Sequence, residues 1–167
     1  MFELTGEIVD ERLPLLFPPE YFDEVMNHIS TGAKRADRRP DDLDIAGCIW
    51  FSVSRDPEAA KGALRELVTY YGPHLVPDMI GRIGLTSQDF DPIREALSER
   101  DHARAKSLMT DEMAQLAIHG TPEDCLERIE GLIEKVLRHV RFEPPLGPSP
   151  VETIHLIGEE IIPHIRK

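Results

Sequence analysis

An α/β fold of parallel strands wrapped by helices is what this sequence predicts, and three observations predict it. Residues 45–53, Ile-Ala-Gly-Cys-Ile-Trp-Phe-Ser-Val, form a continuous apolar run, the pattern of a parallel strand buried on both faces. Apolar runs alternate with helical stretches, an order that implies parallel pairing and right-handed crossovers. Residues 139–167 read as one strand, a loop bearing proline and glycine, and a closing amphipathic helix. That is the last unit of a (β/α) barrel. A complete barrel of that kind needs about 250 residues, and this chain has 167.

Each element has a local reason. Residues 2–9 read as the end of a helix. Residues 13–17 are a short strand candidate in which Pro14 suits a strand start or edge, and Pro18-Pro19 stop it. Residues 19–35 form a helix with Tyr21, Phe22, Val25, Met26 and Ile29 on one face. Residues 37–42 are a charged turn. After the strand at 45–53, Asp56 caps a helix with Pro57 in its first position; Gly72-Pro73 end it near Tyr71. Residues 73–118 are a helical excursion broken at Gly84, Thr86 and Asp101. Thr121 caps a strong amphipathic helix whose stripe is Leu126, Ile129, Leu132, Ile133 and Val136. A strand at 139–143 and a helix over about 150–165 complete the chain. The result is a helix-rich domain with three parallel strands.

Composition narrows the function. The net charge of −12 argues against nucleic acid as a partner, because phosphate contacts need clustered Lys and Arg. The short basic run at 34–39 ends a helix and complements its dipole. No apolar stretch is long enough to cross a bilayer. Glu3, Glu7 and Asp10 interrupt any leader-like run, so a cytoplasmic location is expected. Cys48 and Cys125 read as buried free thiols. No spacing of Cys, His and acids fits a metal site, and no hydrolase, P-loop or dinucleotide fingerprint is present.

In parallel α/β folds, function gathers at the C-terminal ends of the strands. On the last strand Val140 and Phe142 share one face, while His139, Arg141 and Glu143 share the other. An inward Arg141 and Glu143 read either as the polar wall of a ligand site or as a mutual ion pair. Trp50, the only tryptophan, reads as core or as a stacking platform for a planar ligand. Tyr70, Tyr71 and His74 read as packing for the insertion, with a place in a site as the alternative. His119, His155 and His164 read as surface or satisfied histidines.

Six segments carry a family resemblance: Glu-Leu-Thr-Gly-Glu-Ile (3–8), Leu-Pro-Leu-Leu-Phe-Pro-Pro-Glu-Tyr (13–21), Thr-Asp-Glu-Met (110–113), Gly-Thr-Pro-Glu-Asp-Cys (120–125), Glu-Pro-Pro-Leu-Gly-Pro (143–148) and Leu-Ile-Gly-Glu-Glu-Ile-Ile-Pro (156–163). In this order they resemble the C-terminal half of the luciferase-like monooxygenase superfamily, in the deazaflavin branch similar to methylenetetrahydromethanopterin reductase. The resemblance implies a partial (β/α)8 TIM barrel holding strands six to eight, with residues 73–118 as the insertion after strand seven. It implies F-420 or FMN as cofactor and Trp50, Arg141, Glu143 and Gly147 as the residues here that face it. It assigns no catalytic residue, because most cofactor contacts in the family come from earlier strands.

Val136 replaces the glycine that the family places before the last strand, so the helix from 121 is expected to run past its usual stop. Three strands with open edges imply self-association as a dimer, by edge pairing or by exchange of a helix across a two-fold axis, and a separate N-terminal half is the other partner expected. Two functions follow: a flavin- or F-420-dependent oxidoreductase unable to turn over alone, or a non-catalytic assembly module.

Overall fold

A computed structural model describes residues 1–16, 18–135, 137 and 139–165. Helices dominate it: α1 (Phe2–Ile8), α2 (Phe22–Arg35), α3 (Pro57–Ala63), α4 (Arg65–Tyr71), α5 (Pro77–Ile80), α6 (Asp91–Ser98), α7 (His102–Ser107), α8 (Asp111–Ala114), α9 (Pro122–Ile133), α10 (Pro150–Leu156) and α11 (Ile162–Ile165). The strands are β1 (Glu11–Arg12), β2 (Leu15–Leu16), β3 (Asp44–Val53), β4 (Ile118–Gly120) and β5 (His139–Leu146).

All four other strands pair with β3, and every pairing is parallel. The amides of Asp44, Cys48 and Ser54 donate to the carbonyls of Asp10, Pro14 and Gly120. These are alternate residues of one strand, so β1, β2 and β4 line one edge of β3, and β5 lines the other. The first expected strand is therefore split at Leu13-Pro14, since Pro14 has no amide to donate. Phe17 lies outside the described residues. Ile118, read from sequence as part of the helical excursion, is instead the start of β4.

The residues of β3 alternate between two environments. Ile45, Ile49, Phe51 and Val53 point outward into a sealed cluster with Phe22, Val25 and Ile29 of α2, Ile129 and Leu132 of α9, and Leu156 of α10. Phe142 of β5 joins them, its ring 4.3 Å from that of Phe51. Trp50 points to the other side and packs on the insertion, where Leu64, Val68, Phe90, Ile93 and Leu116 form a second buried cluster.

Local signals place the helix ends. Asp56 accepts from the amides of Glu58 and Ala59. Thr121 and Asp124 form a reciprocal capping box, with Thr121 N–H to Asp124 Oδ2 at 2.9 Å and Asp124 N–H to Thr121 Oγ1 at 3.3 Å. Asp101 caps α7, and Gly84 takes a φ of 78° after a short 3-10 turn.

Three expectations are corrected. Helix α9 stops at Ile133 and does not run on, so the basis for an exchanged helix is absent; Val136 itself lies outside the described residues. Strand β5 continues through Pro144 and Pro145 to Leu146, accommodating the prolines by a register shift opposite Trp50 and Ser52. The basic run does more than end a helix. Arg35 pairs with Glu3 and Glu7, and Arg38 donates to Gly6 O and Asp10, which ties α1 to α2.

Candidate functional site

The inward positions of three neighbouring strands meet on one concave face. Register sets them in rows: Leu15 beside Cys48, Cys48 beside Arg141, and Trp50 beside Glu143. They open onto a groove of about 710 Å³, within the size range of small-molecule sites. The insertion closes its other side with Leu67, Tyr71, His74 and Leu75.

Trp50 supplies the buried wall; only 5% of it is exposed. Tyr71 faces it with ring centroids 5.7 Å apart and an interplanar angle of 46°, and Tyr70 meets Tyr71 edge-on at 4.9 Å. The helix α4 that carries these tyrosines ends at Gly72, where a Cβ would come within 2.4 Å of the Phe90 ring. That close approach holds the end of α4 against the insertion and brings Tyr71 and His74 to the groove. Tyr71 and His74 thus line the site as well as packing the insertion, and Tyr70 lines an adjoining cavity of about 380 Å³ with Pro144 and Pro145.

Arg141 and Glu143 satisfy both sequence readings at once. They form an ion pair, Nε to Oε1 at 2.9 Å, and both line the groove. Cys48, read from sequence only as a buried thiol, belongs to the same cluster: its Sγ donates to Glu143 Oε1 at 3.0 Å. Burial, and then the hydrogen bond to Glu143, push the Cys48 thiol up to about 11. The thiol is protonated at neutral pH and is not a nucleophile. The inward face of 48, 50 and 52 was the signal that could have placed Cys48 here. Its partner, 95 residues away, depends on the register of β5.

Gly147 is not among the groove's lining residues. It has a φ of 150°, and a Cβ there would come within 2.5 Å of Val53 O and 2.3 Å of Thr153 Oγ1. Its role is to let the turn into α10 pass close to the end of β3. His119 also departs from its sequence reading. Both ring nitrogens are buried without a hydrogen-bond partner among the described residues. Burial, followed by the charges of Arg128 and Lys61, holds its pKa below the usual value, so the ring is neutral at pH 7. Cys125 is buried as expected, its thiol pushed up to about 12 chiefly by desolvation. No group of His, Cys, Asp and Glu able to hold a metal ion occurs among the described residues. No described helix is long and apolar enough to cross a membrane.

The groove fits a planar cofactor ring better than a phosphate or a metal. It has an aromatic wall, and its one charged pair is internally neutralised. The parallel strands and flanking helices form half of a (β/α) barrel, and the sequence pattern of the luciferase-like monooxygenase family matches residues 1–139. The chain belongs to that family and corresponds to the C-terminal half of its members.

Among individual relatives, it is similar to two 5,10-methylenetetrahydromethanopterin reductases. One, from Methanolobus tindarius, is 34% identical over 97% of this chain and 50% of the relative. The other, from Methanopyrus kandleri, is 29% identical over 100% of this chain and 48% of the relative. Its fold is similar to the solved coenzyme F420-dependent tetrahydromethanopterin reductase of Methanopyrus kandleri, with a TM-score of 0.89 and 30% identity over 99% of this chain and 48% of that one. The chain spans about half the length of the curated relatives it matches.

Proposed function

We propose that this chain is part of a deazaflavin-dependent oxidoreductase that takes F-420 rather than FMN and acts on a reduced pterin carrying a one-carbon unit. The groove under Trp50 receives the cofactor ring. The lining of that groove carries the reading: Trp50 and Tyr71 stand beside the Arg141–Glu143 pair in one concave, largely apolar cavity. The activities of the similar reductases support the choice of cofactor and substrate class.

When bound, F-420 supplies the hydride chemistry. The chain's own part is to border a planar ring with the aromatic wall of Trp50 and Tyr71 and to orient it with Arg141 and Glu143. Leu13, Leu15, Leu67 and Leu75 exclude water around it. Gly147 contributes by keeping the strand-to-helix turn tight. The open concave face needs further barrel units for turnover, and in the isolated chain a second copy covers it.

Titrating F-420 and FMN against the purified chain tests this, with ring absorbance and Trp50 emission as readouts. F-420 should bind in the micromolar range and quench the tryptophan, with FMN weaker. Binding of neither would favour the assembly-module reading. Light scattering at micromolar concentration should give a dimer; a monomer would end the self-association part of the proposal.

A further inference from the structure

Strand β5 is a sheet edge. Among the described residues it pairs with β3 alone, and none of its eight residues is fully buried. The opposite edge differs. There β1 and β2 have two residues each, and Pro14 interrupts them with no amide to offer. Among the described residues β5 is thus the longest edge open to another strand.

Register shows which backbone groups face outward. The amide of Cys48 donates to Pro14 O, so its neighbours Gly47 and Ile49 point the other way, to β5. They lie opposite Val140 and Phe142. In a parallel ladder a residue bonds to the neighbours of its partner, here His139, Arg141 and Glu143. The N–H and C=O groups of Val140 and Phe142 therefore point away from the sheet. A row of such edge groups is a template for a further strand.

Charge decides which strand fits. Arg141 and Glu143 share the inner face, with side chains 62% and 24% exposed. Antiparallel pairing about a two-fold axis at Phe142 sets Arg141 opposite Glu143 of the second copy, and Glu143 opposite its Arg141. The four charges then alternate in sign along and across the strands. Phe142 exchanges both backbone bonds with its own copy. Val140 N–H lies opposite Pro144, which has a carbonyl to offer and no amide to leave unpaired. The register centred on Arg141 instead sets that residue against itself, and like charges directly opposite are destabilising. The edge is self-complementary, so the occupant it fits is a second copy of this chain.

We infer that two copies of this chain join antiparallel along β5, with Phe142 on the two-fold axis and reciprocal Arg141–Glu143 pairs fixing the register. This rests on the self-association proposed above and deepens it by naming the surface. Arg141 and Glu143 line the groove, so the second copy brings its own charges to the groove's edge.

The test is sedimentation of the full chain at about 0.15 M salt, which screens repulsion between two chains of net charge −12 beyond about 8 Å. Wild type should be a dimer at micromolar concentration. Arg141→Glu and Glu143→Arg each set like charges opposite one another twice, and each alone should raise the dissociation constant roughly tenfold or more. Mixed in equal amounts, the two variants meet with opposite charges, and the mixture should return to within about threefold of wild type. Both variants are present with and without the partner, so a loss of fold cannot imitate this recovery. Val140→Pro removes an outward amide that β3 does not use and should be monomeric over the same range; if it does not fold, the mixing arm decides. Wild-type affinity in Glu143→Arg alone, or no recovery on mixing, overturns the inference and leaves self-association standing. A wild-type monomer overturns both. F-420 titration is read separately, so the cofactor reading stands or falls on its own.

Discussion

The two faces of β3 are made from the same ten residues and behave as different materials. The outward set, Ile45, Ile49, Phe51 and Val53, is sealed by three helices, with each residue 3% exposed or less. The inward set, Cys48, Trp50 and Ser52, is also buried, but its neighbours across the sheet are not: Leu15 is 53% exposed and the Arg141 side chain 62%. The outer face has apolar partners on every side and holds the fold. The inner face has an aromatic floor, a hydrogen-bonded charge cluster and open space above it. A buried face stabilises through packing; a face left open after folding has room for a ligand.

The sharpest way to break this contrast is to cut the outer face. Phe51→Ala removes a fully buried ring that stacks on Phe142, and should cost about 3–5 kcal/mol in urea unfolding. Arg141→Met on the inner face should leave the midpoint almost unchanged. Equal losses would mean that the inner charge pair also holds the fold. Gly147→Ala tests the junction where the two faces end. Its φ and the approach of Val53 O leave no place for a methyl group, and a loss of roughly 2 kcal/mol or more is expected from the same unfolding curve.

A pH series adds a third contrast. Both thiols are raised in the folded state, Cys48 to about 11 and Cys125 to about 12, from an ordinary value near 9. Above pH 9 the unfolded chain releases these protons while the folded one keeps them. Their contribution to stability is therefore complete below about pH 9 and declines as pH rises toward 11 and 12. Cys125→Ser should flatten the alkaline fall in melting temperature. Glu143→Gln should lower the Cys48 value and speed its alkylation at pH 9, read peptide by peptide in a mass spectrometer. Unchanged alkylation would remove Glu143 as a partner of the thiol. The smallest effect is expected at the cap of α9: Thr121→Ala should cost about 1 kcal/mol.

Much of the scaffold was legible in the chain. The continuous run at 45–53, the Asp56-Pro57 and Thr121-Pro122 helix starts, and the stop at Gly72-Pro73 are signals carried by a few adjacent residues. The structure places elements where they point. The site was only half legible. Trp50, Arg141 and Glu143 stood on inward faces by alternation alone, and they do share one groove. Cys48 was legible as buried but not as the partner of Glu143. Tyr71 was legible as aromatic but not as the ring opposite Trp50. Gly147 was legible as a glycine in a turn, yet its reason is Val53 O, a backbone atom far away in sequence.

What the sequence determined by itself is the order of strands and helices, the parallel sense of their pairing, and which side chains of β3 and β5 face together. These follow from the twofold period of a strand and the 3.6-residue period of a helix, which are properties of the local backbone. Only the tertiary structure decided that β4 joins the edge of β3, that α9 ends at Ile133, and that Cys48 and Arg141 both meet Glu143. Those outcomes depend on register and on distances of a few ångströms between residues far apart in the chain, and no local period encodes them.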